Sequence, residues 1–233
     1  MRYSCQGNAT KRENSLSKLD LARQLVATLP SGIAGLFNPW AESCPEDLEH
    51  NGPAAKLERL AAHLDCQPAF IFCGEAAGYM GCRHSGIAFT SERLLLEGAI
   101  PRIAPPAGRL TSRHLPFSEP SATIVWKTLF RLGIAEHTVL WNALQLHPHK
   151  PGNIRSNRTP TPAEIAFGDP AMRILAGAFP RARIVAVGRK AEGLLQEMGM
   201  RIAGAVRHPA NGGATEFADG ISRLVAKTPR RGA

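Results

Sequence analysis

The chain has 233 residues, with 28 Lys and Arg against 19 Asp and Glu, and a formal charge of +9. Hydrophobic residues are 44% and charged residues 20%, the composition of a globular domain and not of a disordered tail. No run approaches the ~18–20 apolar residues of a membrane span, and five cysteines without a C-x-x-C pair exclude a disulfide scaffold and a zinc ribbon.

Residues 1–15 are polar, carry no apolar core of a secretory signal, and read as a flexible lead-in. Apolar spacing of three and four predicts a helix over 16–29, and Pro53 opens a second over 52–64. The run Ala69–Gly74 is short and continuously apolar, as in a buried parallel strand, and Cys73 reads there as a small core residue. The unit then recurs. A helix entered between Ser118 and Ser121 precedes a strand over 137–145. Thr161, Pro162 and Glu164 carry the signature of a capped helix start. Strands over 182–188 and 202–209 are each followed by a helix. Four strands alternating with helices predict one α/β domain with a central parallel sheet. The cysteines Cys5, Cys44, Cys66, Cys73 and Cys82 read as reduced thiols of a cytoplasmic protein, and the chain is expected to act as a monomer.

Two segments break this rhythm, 98–120 and 146–161, both Pro-rich and basic. Each leaves the C-terminal side of a predicted strand, where open α/β sheets bind ligands. No acid lies between Glu97 and Glu119, where Arg102, Arg109 and Arg113 stand, or between Glu136 and Glu164, where Lys150, Arg155 and Arg158 stand. Residues 41–65, in contrast, hold six acids against Lys56 and Arg59. Acid-free basic segments suggest a polyanion partner, and Arg109, Arg113, Arg155 and Arg158 are the expected phosphate contacts. The competing reading is an Arg-rich surface without a partner.

The strand ends gather a short set of polar residues: Glu75 after the first, Asn142 in the second, Gly188-Arg189-Lys190 after the third and His208 after the fourth. Each has a bland reading, as a helix cap, a loop tether or a core imidazole. Their convergence on one sheet edge points to a site. Gly188-Arg189-Lys190 offers a helix N-terminus with two cations, suited to a phosphate. The Gly-rich turn GEAAGYMG lacks the Gly-Lys-[Ser/Thr] of a P-loop, and His147 and His149 have no further ligands at metal-binding spacing. No metal is expected.

Three stretches resemble the uracil-DNA glycosylase superfamily. GEAAGYMGCRHSGIAF resembles its first motif in the Gly-Glu-Ala-Pro-Gly form of bacterial branches, LWNALQ its middle strand, and RHPANGG its second conserved motif. The resemblance implies a three-layer α/β/α sandwich around a four-stranded parallel sheet. It implies hydrolysis of the N-glycosidic bond of deoxyuridine in DNA after base flipping, leaving an abasic site and free uracil, with no cofactor. Residue by residue, Phe89 would stack on the flipped base, Asn142 would pair with uracil O4 and N3–H, and His208 would donate to O2. Glu75, or backbone groups around Ala76, would position water, and Tyr79 would exclude the thymine methyl. Asn211 and Gly212 would press on the duplex. Departures are Ala77 where Pro is usual, Ala76 where one branch has a water-positioning Asp, and the missing cysteine set of the iron–sulfur branches. The alternative on the same fold is a non-catalytic binder of uracil-containing or abasic DNA. A third reading is a small-molecule enzyme using Glu75 and His208 as acid and base.

Overall fold

The structure, a computed structural model, describes residues 17–227. The expected flexible lead-in and Cys5 lie outside the described residues. Helix α1 (Lys18–Ala27) starts where the Ser17 hydroxyl accepts from the Asp20 amide, and α2 (Pro53–Leu64) starts on Pro53. A two-residue strand β1 (Leu36–Phe37) lies between them. Strand β2 (Phe70–Ala76) leads through two short helices, α3 (Cys82–Ser85) and α4 (Glu92–Leu96), that the sequence pattern does not announce. Helix α5 (Pro120–Arg131) is entered through Glu119 and Pro120, inside the predicted window, without a side-chain cap. Then come β3 (Thr138–Leu144) and β4 (His147–Pro148), and β4 pairs antiparallel with β1. Helix α6 (Pro162–Ile165) has the expected Thr161–Glu164 capping box. The chain continues through α7 (Asp169–Ala178), β5 (Arg183–Val187), α8 (Arg189–Glu197), β6 (Gly204–Val206) and α9 (Ala214–Ala226).

The main sheet has the order β3-β2-β5-β6, all parallel. Alternation along the strands builds two cores. Ile71, Cys73, Val139, Trp141, Ile184 and Ala186 pack on one face with buried residues of α1, α2, α7 and α8. Phe70, Phe72, Leu140, Val185 and Val187 pack on the other with α4, α5 and α9. Helices therefore cover both faces, the three-layer arrangement that parallel strands require. Cys73 is fully buried, which pushes its thiol well above the ordinary range.

The two long basic segments are held from within, and two of the arginines expected to contact phosphate have internal partners. The Glu92 carboxylate, fully buried, accepts from the backbone amides of Leu110, Thr111 and Phe117, from the Thr111 hydroxyl and from Arg109 Nε. Burial raises the Glu92 pKa, but these donors outweigh it and hold the group below the usual carboxylate range. Arg109 also donates to the carbonyls of Arg113 and His114, so it braces the loop from a partly exposed position. In the second segment Arg158 forks onto both Glu164 oxygens (2.6 and 2.8 Å) and reaches the carbonyls of Gly35 and His149. The Arg158 contact draws the Glu164 pKa down to about 2. Charge counted along the chain misses both partners, because Glu92 and Glu164 lie just outside the acid-free intervals.

Candidate functional site

All four strands of the main sheet run in one direction, so their C-terminal ends share one edge, and a cleft of about 920 Å³ opens there. Asn142 on β3 sits opposite Gly74 on β2 in the register. A Cβ at Gly74 would lie 2.7 Å from Asn142 Oδ1 and 2.7 Å from Phe89 Cζ. Only glycine therefore lets the amide and the aromatic ring close over the end of β2. Phe89 reaches this position with φ +49°, a left-handed conformation costing a bulky residue roughly 1–2 kcal/mol. Asn142 is 5% exposed, and its side-chain amide has no hydrogen-bond partner among the described residues. Asn142 lines the cleft, so its amide is open there to water or a ligand.

His208 follows β6 at the far side of the same edge. Its ring centroid is 6.1 Å from that of Phe89. The Ala210 amide donates to His208 Nδ1 (3.1 Å), which puts the ring proton on Nε2. Burial, and then the Arg207 charge, lower the His208 pKa, so the imidazole is neutral at pH 7 and presents an N–H donor. Gly188, at φ +95°, makes room here as well, since a side chain would meet His208 Cβ at 3.1 Å.

Glu75 and Ala76 line the cleft, as do Arg189, Lys190 and Asn211. Glu75 shares the face of Cys73, the opposite face from Gly74, and α8 covers that face. Its carboxylate is consequently ion-paired with Lys190 (3.3 Å), which also donates to Thr159 Oγ1 (2.8 Å). The expected water-positioning carboxylate and the expected phosphate cation thus hold each other. Arg158 touches the cleft wall while bound to Glu164. Tyr79 does not line the cleft. Its amide is tied to Asn157 Oδ1, and its ring packs 5.3 Å from Phe117 and 6.5 Å from His147. Gly212, Arg109, Arg113 and Arg155 are also outside the cleft lining. Arg155 is exposed at 67% while contacting Glu46 at 2.9 Å.

Cleft residues that the sequence pattern does not single out include Met80, Glu119, Ser121, Asn157, Glu192 and Arg207. Met80 lines the cleft in place of its neighbour Tyr79. Arg207 was findable, since it directly precedes His208. Glu119 accepts from Ser121 Oγ (2.6 Å), yet burial keeps its carboxyl above the usual carboxylate range.

Away from the cleft, Cys44 Sγ, a Glu46 oxygen and a His84 nitrogen lie within 4.8 Å of one another, a set that could hold a metal. The charges argue otherwise. Arg83 Nη2 stands 2.9 Å from Cys44 Sγ and 3.8 Å from Glu46 Oε2, and Lys56 is ion-paired with Asp47 at 2.5 Å. Burial pushes the Cys44 thiol up, but His84 and Arg83 outweigh it and hold the thiol below its ordinary range. Buried protein cations already balance this cluster, and a divalent ion would have to displace Arg83.

No protein-family model matches the chain, and no curated protein matches it. Among solved structures, wild-type SMUG2 of Pedobacter heparinus is similar in fold, with a TM-score of 0.60 and 18% identity. The match covers 88% of this chain and 97% of that one.

Proposed function

We propose that this protein is a uracil-DNA glycosylase that hydrolyses the N-glycosidic bond of deoxyuridine after base flipping. The observation that carries the reading is the partnerless amide of Asn142, sealed beneath Phe89 and facing the same cleft as the Nε2–H of His208. The fold shared with SMUG2 and the three motifs resembling the uracil-DNA glycosylase superfamily support it.

A base inside a duplex is out of reach, so it is extruded at a cost of a few kcal/mol. Phe89 then stacks on it, worth ~1–3 kcal/mol. Asn142 offers one donor and one acceptor, which match uracil O4 and N3–H; cytosine presents the reverse pair. As the glycosidic bond breaks, negative charge develops on uracil O2. A neutral His208 donating from Nε2 stabilises that charge, an effect of ~2.7–4 kcal/mol for comparable preorganised donors. Glu75, fixed by Lys190, is assigned to the attacking water, and the products are an abasic site and free uracil. Met80 replaces Tyr79 as the side chain bounding the pocket beside the first motif. Of the basic residues, Arg113, Arg155, Arg189 and Arg207 are assigned to phosphates, with Asn211 and Gly212 against the duplex.

The test is incubation with a uracil-containing oligonucleotide in EDTA, followed by alkaline cleavage of abasic sites. Strand cleavage at the uracil position is expected. Binding of uracil-DNA without cleavage would instead make the protein a binder on the same fold.

A further inference from the structure

Among the described residues two large hydrophobic side chains are exposed, Leu115 at 62% and Phe130 at 49%. Single exposed apolar residues are ordinary. Phe130 is of that kind, on the last turn of α5, at the opposite end of that helix from the cleft-lining Pro120. Leu115 differs in three respects. First, its loop is held rigidly on both sides. Glu92 anchors the amides of Leu110, Thr111 and Phe117, and Arg109 ties down the carbonyls of Arg113 and His114, the two residues just before Leu115. The base of the loop is pinned again by Leu48 and Ser112 amides, which donate to Leu110 and Glu46 carbonyls. An exposed leucine on so braced a tip is presented, not merely left over.

Second, the tip is within reach of the cleft. Four residues later Glu119 lines it, a reach of at most ~14 Å of extended chain. Phe117 packs on Tyr79, which sits between the cleft residues Gly78 and Met80. Third, its surroundings suit a polyanion. Arg113 and His114 directly precede it, the Arg113 guanidinium lies 4.9 Å above the Phe117 ring, and the acid beneath the loop, Glu92, is fully buried and paired with Arg109. The loop after His208 (Ala210, Asn211, Gly212, Gly213) carries no bulky apolar side chain that could occupy a gap in a base stack.

We infer that Leu115 is the wedge of this protein: the side chain that enters a duplex base stack when a nucleotide leaves for the cleft. Apolar wedges of this type partly unstack a base step and hold it open. The inference rests on the glycosylase reading above and names how that site engages duplex DNA.

The test compares wild type, Leu115→Ala and Leu115→Phe on one uracil sequence, as duplex and as single strand. A single strand has no paired stack to open. Leu115→Ala should lower the duplex-to-single-strand ratio of single-turnover rates about 10-fold or more, equivalent to ~1.4 kcal/mol at the opening step. Leu115→Phe should restore most of it. A duplex with 2-aminopurine beside the uracil provides a second readout, because its fluorescence rises on unstacking whether or not the bond is cleaved. A ratio and a fluorescence rise in Leu115→Ala equal to wild type would overturn the wedge. No fluorescence rise with wild type would overturn it too, whereas a rise without cleavage would overturn only the chemistry.

Discussion

Two polar regions of this molecule are built on opposite principles, one buried and one open to a cleft. Around Asp47, behind the first motif, the charged groups pair with one another, although His84 Nε2, Glu46 Oε2 and Arg83 Nε find no hydrogen-bond partner. Asp47 takes the Lys56 ammonium at 2.5 Å, His84 Nδ1 at 2.7 Å and the Asn51 amide at 3.0 Å, while Arg59 braces Asn51 and the Ser85 carbonyl. At the sheet edge, Asn142 has no side-chain partner, and His208 is held through Nδ1 alone. The first region spends its polarity on cohesion. The second keeps donors and acceptors unanswered, which is tolerable only where a cleft admits water or ligand. Removing a side chain should therefore damage stability in one region and rate in the other.

The largest effect expected is in the cohesive region. Asp47→Asn would leave the Lys56 ammonium buried with no counter-charge, and losing one partner of such a pair costs about 3–5 kcal/mol. Urea unfolding should register that loss, and protein that remains folded at low denaturant should keep its single-turnover rate. A rate loss without a stability loss would dissolve the contrast. His208→Ala should do the reverse. Removal of a donor that acts on the leaving anion should lower the single-turnover rate by ~100-fold or more, with a small change in affinity for uracil-DNA and in the unfolding midpoint. Full rate with weakened affinity would make His208 a binding residue.

The division between the regions also explains what the sequence could reveal. The strands were legible because each is a short apolar run between helices. Parallel strands put all their C-terminal ends on one edge, so Glu75, Asn142, Gly188 and His208 had to meet there. Side-chain direction past a strand end was not legible. Glu75 falls on the α8 face and meets Lys190, and Met80 lines the cleft where Tyr79 was expected. The partners of the loop arginines were equally hidden, because Glu92 answers Arg109 from 17 residues away across a fold that composition does not encode. The pairings of the cohesive cluster were hidden for the same reason. Its acids and bases are scattered over residues 44–84 and become one unit only when α2 and α3 pack together.

Acid should sharpen the comparison, first through two buried histidines outside the Asp47 cluster. Burial lowers the His147 pKa to about 3, and His63 likewise to about 3. The unfolded chain binds a proton at each near pH 6.5 while the folded chain refuses it, so each histidine's contribution to stability falls as pH drops from 6.5 towards 3. The slope is about 1.4 kcal/mol per pH unit per histidine. His84, whose pKa is raised, contributes stability below pH 6.5 and loses it as pH rises through its folded value. Glu119, also raised, adds stability as it protonates in the folded state ahead of the unfolded chain. Against that background His147→Gln should flatten the acid-side slope between pH 6 and 5 by about one proton. An unchanged slope would mean His147 titrates normally.

The smallest effects should fall on the arginines, and they carry the comparison into the loops themselves. Arg109 and Arg158 spend their guanidinium groups on Glu92, Glu164 and backbone carbonyls, whereas Arg113 and Arg155 remain exposed. A phosphate contact releases counterions, so each one lost should reduce the log–log salt slope of DNA binding by roughly one unit. Arg113→Ala and Arg155→Ala should each do that without lowering stability, although Arg155 must first give up Glu46. Arg158→Ala should act on folding, because it removes the ion pair of the partly buried Glu164 and frees three carbonyls, and its effect on the slope should be near zero. Arg109→Ala would leave the buried Glu92 with four remaining donors, so its loss of stability should be milder than that of Asp47→Asn. A full unit of slope lost with Arg109→Ala or Arg158→Ala would show that these side chains swing out to DNA, and that loop cohesion and DNA contact are not divided among the arginines in this way.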